Sequence, residues 1–231
     1  MNFETWEPVY EAILADFGFD RTADERARDR FADIVGDHDP YDLDRLAVEG
    51  QTVAIAGGAP GLSDELDTVE DADAVFAAGA ALSRLQEAGV PVDCAVTDLD
   101  SAPEVAVGRA RDGTPVVAHA HGDNIPAVET YGPRLAEGAL VPTTQAEPVG
   151  PVRNVGGFTD GDRAAFLADH LGAGDIVFPG WDFEDPSVDP MKARKLEWAE
   201  RLLYWLERRQ RERFEVLDGR RYGIDADTLP V

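Results

Sequence analysis

A chain of 231 residues with 44% hydrophobic side chains is long enough to bury one sizeable core, and nothing in it suggests two equal domains. Its formal charge of -25, from 46 acidic against 21 basic residues, argues against a nucleic-acid partner, because neutralising phosphates needs a basic face. No stretch approaches the ~20 consecutive apolar residues of a membrane span, and the single Cys94 cannot bridge within the chain, so a soluble protein of the reducing cytoplasm is expected.

Only Lys192 and Lys195 are lysines; every other cation is an arginine. A surface so dense in carboxylates suits concentrated salt, which screens the self-repulsion that weakens a compact state in dilute buffer. A halophilic proteome accounts for this better than a cationic partner does.

In chain order, Trp6, Val9, Tyr10, Ile13, Leu14 and Phe17 recur at helical spacing and predict a first helix, with Gly18 as its stop. Thr22 followed by Glu25 reads as a capping box opening a second helix that buries Phe31, Ile34 and Val35. These two make an N-terminal helical segment, 1–48, ahead of a larger domain, 49–231. In the latter, short apolar runs predict strands at 52–56, 74–77, 93–97, 115–119, 139–141 and 175–178, with helices at 80–88, 103–111, 125–136 and 162–171 between them. Strands that are apolar throughout and alternate with helices imply an α/β fold: a doubly wound, mostly parallel sheet in a three-layer α/β/α arrangement. A long C-terminal helix, 190–214, carries Trp198, Leu202, Trp205 and Leu206 on one face. The arginines at 208–213 are interrupted by Glu212 and read as a solvated helix end.

Ligands of an open parallel sheet sit beyond the carboxyl ends of its strands, so the residues after each apolar run carry the chemistry. After the first run, Gly57-Gly58-Ala59-Pro60-Gly61-Leu62-Ser63 is a turn whose backbone can approach a phosphate, or one that is glycine-rich for conformational reasons alone. After the third, Thr97-Asp98-Leu99-Asp100-Ser101 offers two hard oxygen ligands of the kind magnesium takes together with phosphates; capping by Asp100 is the alternative. After the fourth, His119 and His121 share one side, with Asp123 and Asn124 beside them. No third zinc ligand is evident, which favours hydrogen bonding near phosphates or a packed histidine. Gly156-Gly157-Phe158-Thr159-Asp160-Gly161-Asp162-Arg163 precedes a helix and reads as a turn with Thr159 or Asp160 as cap. Gly180-Trp181-Asp182-Phe183 follows the last strand, and Lys192 and Lys195 stand on the next helix, where a compact ammonium can follow a phosphoryl group, chance retention of two lysines being the alternative.

These motifs, in this order, resemble the archaeal 6-hydroxymethyl-7,8-dihydropterin diphosphokinase family over residues 6–202. That family is distantly similar to thiamine pyrophosphokinase, whose Asp-x-Asp-Ser motif aligns with Asp98 to Ser101. The resemblance implies transfer of pyrophosphate from ATP to a reduced pterin, giving the pterin diphosphate and AMP on the way to tetrahydrofolate or tetrahydromethanopterin. It implies Mg2+ held by Asp98, Asp100 and Asp123, which are also the catalytic candidates. ATP would be contacted by Gly57, Gly58, Ser63, His121, Asn124, Thr159, Asp160, Lys192 and Lys195, and the pterin by Phe158, Trp181 and Asp182. Small molecules are the implied partners, with no nucleic acid or membrane, and a homo-oligomer is compatible with it. The alternatives are a thiamine pyrophosphokinase-like enzyme with another acceptor and a nucleotide-binding module without catalysis.

Overall fold

The computed structural model describes residues 1–227 and Leu229, so positions 228, 230 and 231 of the expected larger domain lie outside it. The chain opens with α1 (Phe3–Phe17), capped by Asn2, whose side chain accepts from the Thr5 amide at 2.9 Å, and closed by Gly18 in the left-handed region, φ 70°. In α2 (Arg21–Val35) the cap is Asp20 rather than Thr22: the Thr22 amide donates to the Asp20 carboxylate at 3.0 Å. The expected Thr22 and Glu25 capping box does not form, because Asp20 starts the helix two residues earlier and Glu25 pairs with Arg21. Phe31 and Val35 are buried as expected, whereas Ile34 is half-buried.

Six strands follow: β1 (Thr52–Ala56), β2 (Ala74–Ala78), β3 (Cys94–Thr97), β4 (Val116–Ala120), β5 (Leu140–Thr144) and β6 (Asp175–Val177). They form one sheet in the order β5-β4-β3-β2-β1-β6, every pair parallel. Strand β5 runs three residues past the expected 139–141. Pro142 sits on the edge strand, its carbonyl accepting from the Arg153 amide at 2.9 Å, and the polar Thr143 and Thr144 continue the ladder with His119 and Ala120.

Because β1 to β5 lie side by side in chain order, right-handed crossovers put their helices on one face. These are the short α3 (Leu66–Glu70), which the sequence did not suggest, α4 (Ala81–Ala88), α5 (Pro103–Arg111) and α6 (Ile125–Ala136). The small Ala77, Ala95, Ala118 and Ala120 on that face let the helices lie close, and Phe31 of α2 joins the same cluster. The return from β5 to β6 carries α7 (Asp160–His170) over the opposite face, where α1 and α8 (Pro190–Gln210) complete the layer. There Val53, Ile55, Phe76 and Val96 meet the aromatic cluster of Trp6, Phe166 and Trp205.

Helix α8 stops at Gln210, short of 214. Arg211 takes a left-handed conformation, φ 60°, and Phe214 and Leu217 fold back into the core. Glu207 is buried there and accepts from the Phe214 amide and from Arg221. Among the described residues no helix is long and apolar enough to cross a membrane.

Candidate active site

A cleft of about 720 Å³ runs along the carboxyl edge of the sheet, from the loops after β6 and β1 to those after β4 and β5, with the start of α8 along one side. Its centre is the segment after β3. Leu99 adopts φ 69° and Ala102 φ 49°, unusual for side chains with a Cβ. The left-handed turn at Leu99, whose amide donates to Thr97 Oγ1 at 2.9 Å, buries the leucine and leaves both Asp98 and Asp100 lining the cleft. Strain of this kind persists where surrounding structure over-determines it, as at functional sites.

The third carboxylate comes from across the fold. Asp160, the first residue of α7, brings an oxygen into a group with Asp98 and Asp100 in which all ligand atoms lie within 4.8 Å of one another. It rests on Gly79, the residue after β2: a Cβ there would stand 2.9 Å from Asp160 Oδ2. The three-carboxylate group is thus Asp98, Asp100 and Asp160, and not the expected set with Asp123, which is an exposed residue of the cleft wall. The reason is topological: Asp160 approaches over the top of the sheet, a proximity that no sequence spacing encodes.

The three carboxylates differ in how readily they ionise. Burial disfavours ionised Asp98, but the neighbouring His121 ring and the charge of Arg163 outweigh it and hold the carboxyl well below the usual range. His121 Nε2 lies 3.6 Å from Asp98 Oδ2. Asp100 is pushed up by burial and then by the charge of Asp98, and Asp160 is pushed well up by the same two causes. Arg163 Nη1, 3.1 Å from Asp160 Oδ1, offsets part of this. Hard carboxylate oxygens that cannot all ionise unaided form the donor set a divalent cation fits.

Of the other expected residues, Gly57, Gly58, His121, Phe158, Thr159, Trp181, Asp182, Lys192 and Lys195 line the same cleft. The Thr159 hydroxyl is engaged by Asp162, which accepts from it at 2.6 Å and from its amide at 3.0 Å as α7 begins. The Trp181 ring packs into the protein: its Nε1 donates to the Ile55 carbonyl at 2.8 Å, and Cβ atoms on Gly57 or Gly161 would meet it at 2.8 or 2.6 Å.

Ser63 and Asn124 do not line the cleft. Ser63 lies in a 3-10 turn (Pro60–Asp64), and its hydroxyl turns back to the Pro60 carbonyl at 3.5 Å. Asn124 is buried, with its amide consumed inside the loop. Nδ2 donates to the Asp98 and His119 carbonyls, both at 2.7 Å, and Oδ1 accepts from the His121 amide at 2.9 Å. It braces the β3 and β4 loops against each other. His119 is the packed histidine: Nδ1 meets Thr143 Oγ1 at 3.1 Å, and burial, then the charge of Arg163, keep the ring neutral well below its ordinary range.

Among the cleft residues that had no part in the expected set are Gly79, Arg163, Asp24 and Gln145. Gly79 and Gln145 each follow a strand directly and were within reach of the strand-end rule had β2 and β5 been given their full lengths.

Residues 26–187 match the model of the family described as 6-hydroxymethylpterin diphosphokinase MptE-like. Three relatives are each named 6-hydroxymethyl-7,8-dihydropterin pyrophosphokinase. That of Methanothermobacter thermautotrophicus is 40% identical over 93% of this chain and 99% of its own length. That of Pyrococcus furiosus is 37% identical over 89% and 94%, and that of Methanocaldococcus jannaschii 32% over 89% and 96%. With the family model spanning most of the chain and relatives aligned almost end to end, the protein belongs to the MptE-like 6-hydroxymethylpterin diphosphokinase family.

Proposed function

We propose that this chain transfers a pyrophosphoryl group from ATP to the hydroxymethyl oxygen of 6-hydroxymethyl-7,8-dihydropterin, releasing AMP, in the cytoplasm of a salt-adapted organism. The observation that carries the proposal is the convergence of the Asp98, Asp100 and Asp160 carboxylates in one cleft that the chain's two lysines also line. Asp98, Asp100 and Asp160 would hold Mg2+, which when bound gathers the charge of the polyphosphate. Asp123, on the exposed wall, is left to contact it through water or not at all.

The oxygen of the hydroxymethyl group bonds to the β-phosphorus, the bridge from the β-phosphorus to the α-phosphate breaks, and AMP leaves. Little covalent work falls to the protein in such a transfer, so positioning and charge supply most of the rate. Of the amides after β1 and β2, those of Gly57 and Gly79 already donate to the Pro179 and Val96 carbonyls, and that of Gly58 lies at the cleft where phosphate oxygens would need a donor. Lys192 acts electrostatically on Asp100 and Asp160, within reach of the phosphates those carboxylates would share. His121 holds Asp98 and Arg163 holds Asp160, so the ligands enter the reaction already oriented.

Incubation with ATP, Mg2+ and the reduced pterin tests the reading. AMP and pterin diphosphate are expected in equal amounts; absence of AMP, or thiamine consumed as fast as the pterin, defeats it.

A further inference from the structure

The end of the cleft farthest from Trp181 carries polar groups that the transfer step leaves unused. Gln145 follows β5, is 5% exposed and lines the cleft. Its backbone carbonyl is pinned by Trp6 Nε1 at 3.0 Å and Asn154 Nδ2 at 2.9 Å, and its side-chain Nε2 donates to Asp24 Oδ2 at 2.7 Å. Asp24 is 4% exposed and also accepts from the Tyr10 hydroxyl at 2.8 Å and the Gly122 amide at 2.7 Å.

A carboxylate with no proton only accepts, so the Gln145 amide has one allowed orientation: NH2 toward Asp24, Oε1 away from it. Among the described residues no donor reaches Oε1, and the atom is open to the cleft. Gln145 therefore presents a fixed, unpaired acceptor in a cleft that the acceptors Asp20 and Asp24 also line. Phe19 and Phe158 line the same cleft, with Lys195 Nζ 5.9 Å from the centre of the Phe158 ring.

We infer that this end of the cleft seats the pterin ring, with Gln145 Oε1 accepting from its N–H edge, and that Asp24 sets the specificity by fixing the glutamine amide. The inference rests on the acceptor proposed above. A 2-amino-4-oxo ring presents adjacent donors, the ring N3–H and the exocyclic amine, which an acceptor such as Gln145 Oε1 satisfies. Adenine alternates its amine with ring-nitrogen lone pairs, which carboxylates repel, and ATP is better served by the glycine loops at the other end. The link from Gln145 through Asp24, Gly122 and His121 to Asp98 ties the ring end to the reacting end. Asp24 is a positioning residue in this scheme.

The test is steady-state kinetics of the full chain with Gln145→Leu and Asp24→Asn, both substrates varied. An amide at 24 can donate, which frees the glutamine to turn over. Each variant is expected to raise the pterin KM about tenfold or more, as for a lost hydrogen bond, while the ATP KM stays unchanged. A pterin KM equal to that of the unmodified chain, or a rise in the ATP KM instead, overturns the inference. Should both variants fail to fold, the unmodified chain is assayed with an acceptor whose 2-amino group is replaced by hydrogen. A KM about tenfold higher supports the inference and an equal KM overturns it. Lack of AMP from the unmodified chain with the natural pterin overturns the function itself, whereas turnover with indifferent variants overturns only the ring placement.

Discussion

Trp181 donates its indole N–H to the backbone carbonyl of Ile55 at 2.8 Å, tying the loop after β6 to the end of β1. Gly57 and Gly161 lack side chains because the indole fills that space. Gly161→Ala would set a Cβ 2.6 Å from the ring, and overpacking of this kind costs about 1–3 kcal/mol. Urea unfolding is expected to show that loss together with reduced AMP formation, since Trp181 borders the proposed phosphate end of the cleft; an unshifted midpoint would contradict the packing described.

Asp160→Asn should separate stability from activity. Burial and the charge of Asp98 raise the Asp160 carboxyl well above its ordinary value, so the folded chain binds that proton more readily than the unfolded one. Its contribution is therefore most favourable in acid and is lost as pH rises from the unfolded value toward the raised folded one. Asparagine does not titrate, so in chelator its melting temperature should gain on the wild type as pH rises from about 4 to 8. Mg2+ should close that gap by stabilising the wild type alone, and AMP formation should fall by about 10²-fold or more in the variant. A gap independent of pH would sink the electrostatic account.

Replacing Lys192 by alanine is expected to lower kcat/KM by about 10²-fold, the scale of removing a group that meets developing charge. Arginine should restore only part of this, because a planar fork does not follow a phosphoryl group as a point charge does. Activity undiminished in the alanine variant would remove Lys192 from the phosphate site.

The brace at Asn124 makes a different prediction. Asn124→Ala leaves the Asp98 and His119 carbonyls and the His121 amide without their partner, which should cost about 1–3 kcal/mol in chemical denaturation. Asn124→Asp should fare worse, since it sets an acceptor against two carbonyl oxygens. Equal stability of all three chains would show that the loops hold without the brace.

A net charge of -25 predicts a melting temperature that climbs with salt. Between about 0.1 and 3 M KCl the repulsion among surface carboxylates is screened, so a higher midpoint is expected in calorimetry. A flat or falling midpoint would leave the acidic composition without a stability role.

The fold was legible because its strands are apolar on both faces and its helices repeat their apolar residues, patterns written locally in runs such as 52–56 and 103–111. Legibility ended where polar residues continued a strand: Thr143 and Thr144 hid the end of β5, and with it Gln145. Asp98 and Asp100 could be read together because one residue separates them. Asp160 joins them only through the crossing of α7 over the sheet, so its motif reads locally as a helix cap. Ser63 and Asn124 show the converse, polar side chains at strand ends whose bonding capacity is spent on neighbouring backbone.

The concentration of side-chain amines at one place has a practical corollary. Lys192 and Lys195 both border the substrate cleft and no lysine stands elsewhere in the sequence, so an amine-seeking electrophile has few other targets than the α-amino group. An acylating or aldehyde reagent would act on this protein as an affinity label without needing any affinity of its own, and a nucleotide bound as proposed would shield it.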